Sequence, residues 1–190
     1  MADYQYFSSS WLVRVIVFGL FTLSITTLAL VPLLKNLSHP RILRMPVWLR
    51  WALLVPVAFT VSTVAEIIPK FLFSLYEVSI NHTLTFRPGI DSLIWSAYAP
   101  LFFVIAGAKV APSRRLTVYL VLGVFKIIVA VTNIYTVLSV TSAGMSWSRT
   151  DTLINSPLWW NFSVYIIGIC LIIVSAIVTM METKTPEEDI

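Results

Sequence analysis

Residues 158–181 read LWWNFSVYIIGICLIIVSAIVTMM, 24 consecutive positions without a charged side chain. A bilayer core about 30 Å thick is crossed by roughly 20 apolar residues in helix, each adding about 1.5 Å. A helix also closes its own backbone hydrogen bonds, which hydrocarbon requires of any segment it surrounds. This run is therefore read as a membrane span.

Working outward from it, four further runs of similar length are bounded by charges or turn residues. The first is Val15 to Leu34, uncharged and carrying Thr22, Ser24, Thr26 and Thr27. The second is Trp48 to about Ile68, interrupted by Pro56 and Glu66; the third is Ser92 to Val110, with Pro100 inside; the fourth is Leu116 to Val140, with Lys126 inside. The chain is thus expected to be an all-α membrane protein, a single transmembrane domain over residues 1–190. Its spans lie at about 15–34, 48–68, 92–110, 116–140 and 158–181.

Composition agrees. Of 190 residues 58% are hydrophobic and only 12% are charged, about half the charged share of a soluble domain, so there is too little polar surface to coat a water-soluble globule. The same balance excludes disorder, coiled coil and collagen. A single cysteine, Cys170, rules out an internal disulfide and any cysteine cluster for zinc or iron–sulfur chemistry.

Lysine and arginine are retained on the cytoplasmic side of spans. Lys35, Arg41, Arg44, Arg50, Lys109, Arg114, Arg115 and Lys184 all fall on one side of the five-span arrangement. The opposite side has Lys70, Arg87 and Arg149, with Arg14 at the start of the first span. The N-terminus is expected outside and the C-terminus in the cytoplasm. The tryptophans agree, because indole rings collect at interfaces: Trp11, Trp95, Trp147, Trp159 and Trp160 mark the outer one, and Trp48 and Trp51 the inner. The first span is longer than a secretory core region and lacks a small-residue cleavage pattern, so it is expected to remain as a helix.

Two outer segments are long enough for structure of their own, Lys70 to Asp91 and Thr141 to Pro157. After Pro69 the second helix can continue with a kink. Then Val78, Ile80, His82, Leu84 and Phe86 alternate with Ser79, Asn81, Thr83 and Thr85 up to the turn signal Arg87-Pro88-Gly89. This period of two predicts a partly extended outer loop, either solvated on the membrane surface or docked to a partner chain. Asn81-His82-Thr83 fits the glycosylation acceptor pattern, which also occurs at Asn36 and Asn161 and supports no assignment. On the inner side Ala111-Pro112-Ser113-Arg114-Arg115 predicts a tight hairpin between the third and fourth spans, and the basic loop from Lys35 to Arg50 suits anionic headgroups.

Charges inside a span cost about 2.5–3.5 kcal/mol at its centre and need a partner or a use. Glu66 and Lys126 are the two cases. Ser62 shares the face of Glu66, while Tyr119, Gly123, Ala130 and Asn133 share the face of Lys126 at steps of three and four. Two polar stripes of opposite charge predict that these helices face one another. Glu66 would then pair with Lys126, inside the bundle or across a subunit boundary, either to set helix register or to line an ion path with Asn133 and Ser62. Ala99, Phe103 and Gly107, with Ala106 and Ala108 beside it, give the third span a close-packing face.

The catalytic vocabulary is sparse. His39 and His82 both lie in loops and cannot supply two axial haem ligands, and four aspartates, none within the expected spans, offer no metal-binding carboxylate cluster. Phosphate loops, dinucleotide fingerprints and nucleophile elbows do not occur. No catalytic site, cofactor or metal is expected, nor a nucleic-acid partner. The leading reading is a non-catalytic integral membrane subunit or accessory protein of a larger complex, associated with lipids and with other membrane subunits or copies of itself. The alternative is a small oligomeric channel or transporter built around Glu66 and Lys126. The absence of an organellar presequence favours the bacterial inner membrane.

Overall fold

A computed structural model describes residues 9–37, 42, 44–80, 87–142 and 158–184, and almost all of them are helical. Helix α1 is Ser9–Leu37 and α2 is Val47–Ile80. The third span has three parts: α3, Arg87–Leu93; a π-helical turn, Ile94–Tyr98; and α4, Ala99–Val110. Helices α5, Arg115–Ser142, and α6, Leu158–Lys184, complete the bundle. Five helical segments are long and apolar enough to cross a membrane, and no strand occurs among the described residues.

The second helix is longer than its apolar run. At 1.5 Å per residue its 34 residues reach about 51 Å, well beyond a hydrocarbon core. It passes Pro69 and takes in Val78 and Ile80, which the alternating pattern had placed in an extended segment; residues 81–86 of that segment lie outside the described residues. The helix continues because each added turn closes its backbone hydrogen bonds within the segment, and the Ser79 hydroxyl also folds back onto it, donating to Leu75 O at 2.8 Å. An isolated strand would have closed no such backbone bonds. Arg87-Pro88-Gly89, expected as a turn, opens α3 instead. Proline is tolerated in a first turn, where its missing N–H had no acceptor to lose. The third span therefore begins at Arg87, and Asp91, counted as a loop residue in the sequence, lies within it and is buried.

Helices α1, α2, α5 and α6 all pack against the third span, α2 most extensively along α4. Of its most apolar stretch 67% is buried, against 28% or less in the other four. All three apolar clusters contain its residues: Tyr98, Phe102 and Val110 with α1 and α2; Ile90 and Ile94 with Phe73 and Trp160; Phe103 and Val104 with Tyr119 and Ile172. The small face read from the sequence is indeed buried, from Ala99 to Ala108. Outward-facing Leu20, Phe21, Leu28, Val121, Ile128 and Ile166 are exposed, as suits lipid.

The hydroxyls scattered along the spans mostly fold back onto their own helix. Thr22 donates to Phe18 O, Thr26 to Thr22 O, Thr60 to Pro56 O and Thr132 to Ile128 O, each at 2.7–2.9 Å. Without water nearby, the carbonyl four residues earlier is the closest acceptor. Such groups mark no path.

Trp160 closes one end of the bundle. Its Nε1 donates to Gly89 O at 2.8 Å and to Ser92 Oγ at 3.0 Å, and the indole is buried, unlike exposed Trp48, Trp51 and Trp159. Trp160→Phe keeps an aromatic ring but removes the donor together with the pyrrole half of the indole. The variant is expected to lose about 1 kcal/mol in detergent unfolding.

Candidate functional site

Pro100 shapes the middle of the third span. It has no N–H to give the carbonyl four residues earlier, and in a regular α-helix its ring would crowd that carbonyl, Ser96 O. The helix responds by widening to a π-turn over Ile94–Tyr98, with the N–H of Ala99 bonded to Ile94 O. Ser96 O then faces α6 at Gly168: a Cβ built there would stand 2.3 Å from it. The glycine lets α6 approach the distorted backbone.

Around this approach the third span, α5 and α6 enclose a cavity of about 80 Å³. Its polar lining is Lys126 and Asn133 from α5, Ser96 and Trp95 from the π-turn, and Tyr165 from α6. The hydroxyl of Tyr165 lies between Ser96 and Asn133. Ser96 Oγ is buried and makes no hydrogen bond of normal geometry. Every one of these side chains can donate, and no carboxylate lines the cavity.

Lys126 sits about 16 Å along α5 from Arg115 at 1.5 Å per residue, near the middle of its span. Its Nζ stands 4.3 Å from the centroid of the Phe103 ring and 5.9 Å from that of Phe59. Cation–π attraction contributes about 2 kcal/mol at best in a desolvated setting, against the 2.5–3.5 kcal/mol cost of a charge at mid-span. The rings offset that cost only in part.

The expected stripe on α5 is thus real and faces inward. Tyr119 is buried with its hydroxyl 3.4 Å from Ile172 O, Gly123 lies against Ile172, and Lys126, Ala130 and Asn133 line the cavity. The pairing with α2 is not as expected. Within one chain Glu66 receives a bond from Lys70 Nζ at 2.5 Å, and Ser62 donates to Ala99 O at 3.0 Å. Lys70 is one turn away on the same helix, whereas Lys126 belongs to another helix and is held over Phe103. Lys126 and Asn133 are brought together; Glu66 and Ser62 are spent elsewhere. Lys70→Met is expected to cost under about 0.5 kcal/mol in the same unfolding assay, because the pair is partly exposed.

Two further polar constructions were not singled out in the sequence. Arg87 bridges the end of α2 and its own helix, pairing with Glu77 and lying 3.6 Å from Asp91 Oδ2, while Asp91 Oδ1 is buried without a hydrogen bond. At the opposite end of the third span Arg50 is buried. Its Nε donates to Val110 O at 3.2 Å and its Nη2 to Ala111 O at 2.8 Å. Neither was legible, because Arg50 and Arg87 read equally well as topology signals. Ser96 and Tyr165 had a weak signal in the proline four residues after Ser96 and in a tyrosine within an otherwise apolar span.

Among the described residues no three histidine, cysteine, aspartate or glutamate side chains lie close enough to hold a metal ion. Compared with protein-family models, curated proteins and solved structures, the chain matches none.

Proposed function

We propose that the protein is a non-catalytic membrane subunit or accessory protein of a larger complex. The observation that carries this reading is Lys126, a mid-span charge with no carboxylate partner among the described residues, at the edge of a cavity lined by hydrogen-bond donors. A membrane charge without a counter-charge among the described residues suits association with another chain. The channel reading has less support, because Ser62 and Glu66 spend their polar atoms on Ala99 and Lys70 and do not line the cavity of Lys126 and Asn133.

In this reading the N-terminus lies outside and the C-terminus in the cytoplasm of a bacterial inner membrane, following the lysine and arginine bias. A cysteine placed at Ser113 is then expected to react with an impermeant maleimide only after cells are opened. Labelling in intact cells would reverse the orientation.

The test of the function is the mass and composition of what purifies with a tagged chain in mild detergent. Other membrane proteins in fixed stoichiometry are expected. A monodisperse monomer, or a homo-oligomer alone, would overturn the subunit reading, and the homo-oligomer would turn attention to ion flux.

A further inference from the structure

Helices α2 and α5 both lie against the third span without packing extensively on one another. This leaves a groove at Lys126 with Phe103 of the third span as its floor and Phe59 of α2 edge-on against that ring, 5.9 Å from Lys126 Nζ. Phe59 is exposed there, as are Trp95 and Val129, which line the adjoining cavity of the third span, α5 and α6. Lys126 reaches over this floor, and the cavity with Asn133, Tyr165 and Ser96 opens beside it. The groove's polar groups are Lys126 with the neutral side chains of the cavity and, toward Trp95, Lys70, whose Nζ stands 5.4 Å from that ring and is already paired with Glu66.

We infer that this groove seats a transmembrane helix of a different protein, and that a mid-span aspartate or glutamate on that helix places its carboxylate against Lys126 and Asn133. The inference rests on the subunit reading and names the partner's chemistry. Charge complementarity selects the acid: Lys126 is the one charged group in the cavity lining, it favours an anion over a second cation, and Asn133, Ser96 and Tyr165 can each turn a donor toward a carboxylate. Size favours a side chain, since about 80 Å³ holds a carboxylate and its first methylenes and is well below the several hundred Å³ of a pocket for a drug-sized ligand. A second copy of this chain is a poor donor. Among the described side chains its acids, Glu66, Glu77 and Asp91, are already engaged by Lys70 and Arg87.

The experiment uses the full chain in phosphatidylcholine vesicles with a synthetic transmembrane peptide of leucine and alanine bearing one central glutamate, and the same peptide with glutamine. Association is read by energy transfer between labels. The glutamate peptide is expected to bind about tenfold more tightly, the scale of one well-placed charge pair. Lys126→Gln should abolish the preference and Lys126→Arg should keep it, with helical content and thermal midpoint measured for both. Should Lys126→Gln not fold, the comparison of the two peptides on the unaltered chain decides alone. Equal binding of the two peptides, or a preference that survives in folded Lys126→Gln, would overturn the inference. Lys126-dependent binding of oleate with no peptide preference would also overturn it, assigning the cavity to a free carboxylate amphiphile. Partners that co-purify equally with the unaltered chain and Lys126→Gln would sink this site and leave the subunit reading standing; no partners at all would sink that reading.

Discussion

Arg50→Met is expected to destabilise the bundle by about 2–4 kcal/mol, read as a fall in the midpoint of unfolding in mixed detergent micelles. The guanidinium leaves the first turn of α2 and donates from two different nitrogens to Val110 O and Ala111 O, where α4 ends. Those carbonyls belong to the last turn and have no N–H ahead of them to accept from. Hydrogen bonds from a charged donor contribute about 1.5–3 kcal/mol each, and the positive charge also meets the negative end of the helix dipole. Removing a buried cation returns part of its desolvation cost, which is why the expected loss is below the sum of two such bonds. Lysine cannot replace it: one ammonium on a flexible stem does not span two carbonyls, so Arg50→Lys should recover less than half of the loss. Arg44, also basic, nearby and exposed, provides the control. Arg44→Gln is expected to shift stability by under about 0.5 kcal/mol. If Arg50→Met behaves like Arg44→Gln, the two bonds do not hold the end of the third span.

Gly168→Ala is expected to cost about 3 kcal/mol, at the upper end of what overpacking does. The added carbon would stand 2.3 Å from Ser96 O and 3.0 Å from Ala97 Cα, both backbone atoms of the π-turn. Nothing there can rotate aside. Either α6 moves off the third span or the turn deforms, and both open the cavity that Gly168 shares with Lys126 and Tyr165. Two other glycines separate this effect from a general preference for glycine. Gly107→Ala also meets an atom at 2.3 Å, but that atom is Leu122 Cδ1, the far end of a side chain that can change rotamer, so a cost near 1 kcal/mol is expected. Gly19→Ala finds only Leu93 Cδ2 at 3.8 Å and should be close to neutral. A Gly168→Ala variant as stable as Gly19→Ala would mean that α6 does not sit against the π-turn.

The spans themselves were legible in the sequence because water and hydrocarbon differ by so much for each residue that some twenty apolar positions leave no second solution. The inward face of α5 was legible too: Tyr119, Gly123, Lys126, Ala130 and Asn133 recur at helical spacing, and a polar stripe on a membrane helix turns away from lipid. The partner of that face was not. Pairing Glu66 with Lys126 by charge alone overlooked Lys70, one turn from Glu66 on the same helix, and the ring of Phe103 beneath Lys126. The extended reading of residues 78–86 failed at Val78–Ile80, where two alternating apolar residues are as compatible with the last turn of a helix as with a strand.

From the chain alone follow the five membrane spans, the inward stripe on the fourth of them and the tight turn before it. Only the tertiary structure decided that the third span is the centre of the bundle, although it is the least apolar of the five. The reason lies in the solvent. Lipid tails are as apolar as leucine, so hydropathy separates membrane from water but does not say which helix meets which. That choice is made by close approach and by polar atoms needing partners: Gly168 against Ser96 O, Tyr98 with Thr27, and Arg50 on the last carbonyls of α4.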